Sequence, residues 1–169
     1  MNILTVILNV MLSLVVPFTL LATGFYLKSH IKMEIGSNGI SVPAAKKSLE
    51  KWLFAQIIGY CTTVKFGFVS LILAVFAEIL ILIFDINTDI AVFVGNGIGF
   101  VFVFAMLIVV EKRVSDFSLN TDVTDNNMLT DLWVKIVYKL IEAREYEKLE
   151  RFVNERHYNR DSLSMYMDD

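Results

Sequence analysis

Three polar side chains stand out because each lies inside a long apolar stretch: Asn9, Glu78 and Asn96. An ionisable group in hydrocarbon is costly, so Glu78 is a functional-site hypothesis by default. A carboxyl group near the outer face can take up a proton or contact an external peptide. It can equally serve structure, because an amide that hydrogen-bonds to a carboxyl group fixes the register of two membrane helices. Both interpretations of Glu78 are open from the sequence.

The apolar stretches are long enough to cross a membrane. Of the 169 residues, 56% are hydrophobic and 20% are charged. Residues 3–27 and 90–110 carry no charged side chain, and residues 63–84 carry two. A helix needs about 20 apolar residues to cross a bilayer. The sequence therefore predicts three membrane spans, the first of which is kinked by Pro17.

The depth of the polar residues in these spans can also be predicted. An antiparallel hairpin that turns near residue 87 places Glu78 and Asn96 at equal depth, and Asn9 reaches the same depth in the first span. A Gly-xxx-Gly pair beside Asn96 allows helices to approach closely, although ordinary packing also explains such a pair. Isolated polar groups are expensive in hydrocarbon. We therefore predict that Asn9, Glu78 and Asn96 meet in a buried polar cluster.

The segment between the first two spans is polar. Residues 28–51 contain five lysines and Pro43, and proline is favoured in the first turn of a helix. Apolar and charged side chains separate onto two faces over residues 44–58. This pattern predicts a helix that lies in the membrane interface and turns inward near Gly59.

Basic residues predict the orientation in the cell membrane, because the cytoplasmic flanks of membrane spans are enriched in Lys and Arg. Residues 28–51 contain five lysines, the turn at 85–89 contains none, and Lys112 and Arg113 directly follow the third span. We expect the N terminus outside and the C terminus in the cytoplasm.

The chain after the third span is predicted to be a linker and a helical tail. Residues 115–127 are rich in Ser, Asn, Asp and Thr, and apolar residues recur every three or four positions over 129–141, which is typical of an amphipathic helix. One long helix and a hairpin turning near Arg144 and Glu145 are both compatible with the tail. Its apolar face either packs inside the tail or docks a partner through Trp133, Ile136, Leu140 or Tyr146.

The predicted fold class is thus all-α. Residues 1–114 form a three-helix transmembrane bundle with an interfacial helix before the second span, residues 115–127 form the linker, and residues 128–169 form a small cytoplasmic helical unit.

Composition argues against several function classes. A net charge of −3 does not favour nucleic acid as a partner. The single cysteine, Cys61, cannot form an internal disulfide, and His30 and His157 lack neighbours at metal-ligand spacing. The sequence has no glycine-rich phosphate loop and no recognisable nucleophile arrangement. We expect no enzyme activity, no metal and no cofactor.

Residues 38–59 resemble the signature of the SdpI-like family of bacterial membrane proteins, which reads Asn-Gly-Tyr-Arg-Thr, then Ser-x-Lys, then Glu-x-Trp and Ala. Residues 111–117 are similar to the charged segment that closes the last span of that family. The resemblance covers about residues 1–118, although Ile40-Ser41-Val42 stands in place of Tyr-Arg-Thr. The matching positions are Asn38, Gly39, Pro43, Lys47, Glu50, Trp52, Ala55, Gln56 and Gly59.

The resemblance implies immunity against a membrane-active bacteriocin or toxin bound within or at the outer leaflet, and a second role in holding a cytoplasmic regulator at the membrane. If the arginine of the family binds an anionic group, this chain lacks that contact, because lysine cannot reproduce its bidentate geometry. A rival class is a small accessory or regulatory subunit of a larger membrane transport or secretion complex. A third is a phage-type pore former, which should kill cells on overexpression. The expected partners are the lipid bilayer, a peptide toxin, and a regulator or larger complex.

Overall fold

The computed structural model is helical. It describes residues 3–31, 35–36, 39–117, 126–154 and 163, and no strand occurs in these ranges. The prediction of an all-α chain is confirmed for them. The helices are α1 (Ile3–Ser13), α2 (Val15–Ser29), a 3₁₀ helix (Pro43–Lys47), α3 (Leu49–Ile83), α4 (Thr88–Asp116), α5 (Asn126–Glu142) and α6 (Tyr146–Asn154).

The chain divides into two compact units. The span unit consists of residues 1–30 and 59–110, and the tail unit consists of residues 31–58 and 111–169. Segment 31–58, which the sequence analysis assigned to the membrane domain, therefore clusters with the tail.

Helices α3 and α4 are long and apolar enough to cross a membrane, and α1 with α2 passes the same test as one bent span. The axes of α1 and α2 differ by 42°. Pro17 explains the bend, because proline lacks an N–H and its ring clashes with the carbonyl four residues earlier, here Ser13. The predicted kink is confirmed, and the break lies at Leu14, within one turn before the proline.

Helix α3 is a single element of 35 residues, about 52 Å long at 1.5 Å per residue. The inward turn that we predicted at Gly59 does not occur, because a lone glycine weakens a helix by only about 1 kcal/mol and buried neighbours such as Ile58 and Tyr60 hold it in place. The helix predicted over residues 44–58 is divided into the 3₁₀ helix and the first part of α3, because Ser48 separates them with an extended backbone (φ −161°, ψ 162°).

The turn after α3 has a defined helix-ending geometry. Asp85 adopts a left-handed conformation with φ 51°. The Ile86 N–H donates to the Ile81 carbonyl (3.0 Å), and the Asp85 N–H donates to the Leu82 carbonyl (3.4 Å). This is the Schellman pattern, with an aspartate tolerated at the left-handed position. The turn predicted between the second and third spans is confirmed.

The same geometry ends α5 and decides the shape of the tail. Arg144 has φ 59°, and the Glu145 N–H donates to the Leu140 carbonyl at 3.0 Å. Helices α5 and α6 therefore form a hairpin, not one long helix. Trp133 stacks on Phe152 with ring centroids 6.2 Å apart. The other buried apolar residues of the hairpin are Ile136, Val137, Leu140, Leu149 and Val153.

The tail residues considered as a docking surface are mostly core residues. Trp133 and Ile136 are fully buried and Leu140 is 4% exposed, while Tyr146 is half-buried. Trp133, Ile136 and Leu140 are therefore core residues rather than docking residues, whereas docking through Tyr146 stays a prediction. The physical reason is that α6 and Phe117, whose ring lies 5.5 Å from that of Trp133, cover the apolar face of α5.

Trp133→Ala should destabilise the tail hairpin by about 3–5 kcal/mol, the usual loss for a buried aromatic residue. Hydrogen exchange of the α5 and α6 amides in detergent measures this as lost protection. The matched control is Tyr138→Ala on the same helix, because Tyr138 is 38% exposed and should change protection little. Equal protection in the two variants would contradict the core assignment.

Candidate functional site

The side chain of Asn96 takes the place of a missing backbone hydrogen bond in the bent span. In a regular helix the Val16 N–H would donate to the Leu12 carbonyl. Here the Oδ1 atom of Asn96 accepts the Val16 N–H at 3.0 Å, and its Nδ2 atom donates to the Leu12 carbonyl at 3.0 Å and to the Val92 carbonyl at 2.9 Å. A side chain inserted into the helical hydrogen bonds is a known cause of kinks. Asn96 therefore satisfies the backbone that the break exposes.

Two glycines of α4 let Asn96 reach the break. A Cβ atom at Gly95 would lie 2.5 Å from the Ser13 carbonyl oxygen, and one at Gly99 would lie 2.7 Å from Val16 Cγ1. Any larger residue would push α4 away from the first span. The Gly-xxx-Gly pair thus acts through close packing, the simpler of its two interpretations.

Helices α2 and α3 approach each other equally closely. A Cβ atom at Gly24 would lie 2.8 Å from the Val64 nitrogen, and one at Gly67 would lie 2.7 Å from the Leu21 Cα atom. Facing positions on the two antiparallel helices have residue numbers that add up to 88, as 24 with 64 and 21 with 67 show. This register fixes the relative depth of the polar residues.

Asn9 lies on α1, at the end of the span unit where α4 begins. It is 8% exposed, and its Nδ2 atom donates to Asp89 Oδ1 at 3.0 Å. Asp89 lies in the first turn of α4. The partner of Asn9 was not predicted because Asp89 was placed in the turn, although an acid in the first turn of a helix is itself a capping signal.

Glu78 differs from the two asparagines. The residue is 4% exposed, and neither carboxyl oxygen accepts a hydrogen bond from the part of the chain that the structure describes. Glu78 is therefore not hydrogen-bonded to Asn9 or Asn96. The predicted cluster is not joined by hydrogen bonds.

The register explains why the predicted cluster is not formed as a single layer. Asn9 bonds to Asp89, whereas Asn96 follows Asp89 by seven residues, about 10 Å along α4. The prediction took Ile3 as the membrane boundary and treated the first span as straight. The contact of Phe66 with Phe102 places Glu78 near position 90 of α4, beside Asp89, so Glu78 and Asn9 lie at a similar depth while Asn96 lies deeper.

The loop residues singled out by the family resemblance lie in the tail unit. Gln56 is 3% exposed, and its amide bonds to both backbone groups of Ile40, accepting the N–H at 3.1 Å and donating to the carbonyl at 3.1 Å. A Cβ atom at Gly39 would collide with Gln56 Oε1, so a larger residue here would displace the Gln56 amide from Ile40. Trp52 is fully buried on the same helix. Asn38 lies outside the described residues.

The second segment of the resemblance meets the first. Both carboxylate oxygens of Glu111 accept the Ala44 N–H, at 3.3 and 3.2 Å, just after Pro43. The rings of Phe54 and Phe117 stack with centroids 4.0 Å apart. Lys47 is exposed and Glu50 is half-buried. Segments 39–56 and 111–117 therefore form one packed junction, although more than fifty residues separate them in sequence.

No protein-family model matches the chain, and neither a curated protein nor a solved structure matches it. Among the residues that the structure describes, no group of three or more His, Cys, Asp or Glu side chains could hold a metal ion.

Asn96→Ala should lower the free energy of unfolding by about 1–3 kcal/mol, because it leaves the Val16 N–H and the Leu12 carbonyl unsatisfied. Thermal unfolding in detergent measures the loss. Asn154→Ala is the control, since Asn154 also donates to the carbonyl four residues earlier but is exposed. Pro17→Ala restores an N–H and should reduce the effect of Asn96→Ala in a double-mutant cycle. Strictly additive losses would contradict the coupling.

Proposed function

We propose that this chain is a bacterial membrane protein of the SdpI-like type that confers immunity to a membrane-active bacteriocin or toxin. The observation that carries the proposal is the junction between the two segments of the resemblance. Glu111 holds the start of the 3₁₀ helix, and Phe54 stacks on Phe117. Residues that match a family signature in two distant segments form a single packed structure here, which favours a family scaffold over a chance match in an amphipathic loop.

The proposed architecture is a three-helix transmembrane bundle. Segments 31–58 and 111–169 share one unit, which favours one side of the membrane for both and two crossings by the chain between them. Residues of α1 and the start of α2 contact α4 between Asp89 and Gly99, and later residues of α2 contact α3 between Gly67 and Val64. These contacts support a full third crossing by α1 and α2. Lysines on the side of the tail unit favour a cytoplasmic tail and an external N terminus.

In this orientation the turn between α3 and α4 faces the outside. It carries two exposed acids, Asp85 and Asp89, next to exposed apolar side chains, Phe84 (69%) and Ile86 (39%). A cationic peptide with an apolar face complements this surface in charge and in hydrophobicity. We infer that the toxin is bound here, at the outer leaflet.

The orientation predicts which cysteines a membrane-impermeant maleimide reaches in intact cells. In a Cys61→Ser background, Ile86→Cys should be labelled at once, and Lys46→Cys should be labelled only after permeabilisation. Both replaced residues are exposed, so the difference reports the side of the membrane. The reverse pattern, or labelling of both, contradicts the proposed topology.

Expression of this chain alone should let a sensitive bacterium survive the toxin of the producing host. Asp85→Asn should reduce protection, because it removes an external charge while asparagine keeps the left-handed backbone. Asp131→Asn, an exposed acid of the tail, is the matched control and should protect fully. Survival is measured against toxin dose at equal amounts of protein in the membrane.

The junction is tested in the same assay. Gly39→Ala should abolish protection by displacing Gln56, whereas Gly97→Ala should not, since nothing lies within 4 Å of that position. A producing host that stays resistant after deletion of the protein contradicts immunity. Failure to protect, together with constant purification with one larger membrane partner, would favour the accessory-subunit class.

A further inference from the structure

Glu78 is a buried carboxyl group whose oxygens accept no hydrogen bond from the described chain. An isolated carboxylate in an apolar interior is costly by far more than the few kcal/mol of an unsatisfied neutral group, and proteins avoid it by keeping the group neutral. We propose that Glu78 is a proton-binding site of the span unit and that α1 controls the access of water to it.

Two small buried residues lie near the level of Glu78. Ala74 lies one turn earlier on α3 and Ala91 lies near the start of α4, and both are fully buried. The rings of Phe66 and Phe102 meet edge to face with centroids 5.6 Å apart, which brings position 78 near the level of position 90. Glu78 therefore lies within about one helical turn of the level of Ala91 and of Asn9.

The charged groups of the span unit are distributed unequally around this level. On α4 and the preceding turn, the titratable side chains closest to it are Asp89 and Asp85. On the first span they are Tyr26 and Lys28, at its other end, and on α3 itself the next charge is Lys65, thirteen residues away, which is about 20 Å along the helix. No cation of the described span unit is placed to neutralise an ionised Glu78, so a proton is the ligand that we assign to it.

Helix α1 is the element that can open this level to water. It joins the rest of the span at the break at Leu14, where backbone bonds are already replaced by the side chain of Asn96. Its outer part is tied through Asn9 to Asp89, and Ile7 on its surface is 52% exposed. When α1 swings out about Leu14, water reaches the carboxyl group, and the O–H bond of Glu78 breaks to give a carboxylate and a proton carried by water. Return of the proton lets α1 close.

Infrared spectroscopy of the full chain in lipid nanodiscs tests the proton. At neutral pH the wild type should show the carbonyl band of a neutral carboxylic acid without hydrogen bonds. Glu78→Gln should lose this band, and Glu50→Gln, a half-buried glutamate on the same helix, should keep it. The band can also be read without any variant after isotope labelling of the glutamate carboxyl carbon. Only carboxylate bands from the labelled glutamates would overturn the proposal.

The shift of the same band in heavy water tests the role of α1, because exchange requires water to reach the carboxyl group. Asn9→Ala removes the bond to Asp89 and should speed the shift about tenfold, as expected for losing a hydrogen bond to a charged group. Ile7→Ala, on the exposed surface of α1, should leave the rate unchanged. Equal rates in wild type and Asn9→Ala would overturn the control of access by α1.

Discussion

The amide of Asn96 completes a helix that Pro17 leaves open, and much of the span unit depends on this contact. In hydrocarbon no water can satisfy a free N–H or carbonyl group, so a broken span survives only where protein supplies the missing partners. Asn96 supplies both at once, bonding Val16 and Leu12. Its reach requires α4 to lie against the break, and the glycines at 95 and 99 make that approach sterically feasible.

Several features of the fold were predictable because their causes are local. A run without charges that matches the thickness of a bilayer indicates a span wherever it occurs, and Pro17 must disturb any helix that contains it. The turn after α3 was likewise visible, since polar residues at 85–89 interrupt two apolar runs. In each case the cause lies within a few residues of the feature in the sequence.

The errors arose where the reason lies on another element. The depth of Asn9 in the membrane depends on how far α1 extends, and counting residues from Ile3 could not give it. The hydrogen bond from Asn9 to Asp89 shows that Asn9 lies level with the start of α4. The amphipathic face of α5 was clear, but periodicity does not say what covers such a face. Trp133 is buried by Phe117 and Phe152. Gly59 was over-interpreted, since tertiary packing routinely overrides a single unfavourable residue.

Buried amides find hydrogen-bond partners in both units. In the tail unit the amide of Gln56 finds the backbone of Ile40, and Glu111 accepts an N–H at the start of the 3₁₀ helix. In the span unit Asn96 is equally well satisfied, whereas Glu78 is not. The Asn96 amide shows that a buried polar side chain of the span unit can be satisfied by backbone groups. The lack of such a partner at Glu78 therefore needs an explanation. Function is expected to impose its own requirement where such consistency fails, and Glu78 is such a position.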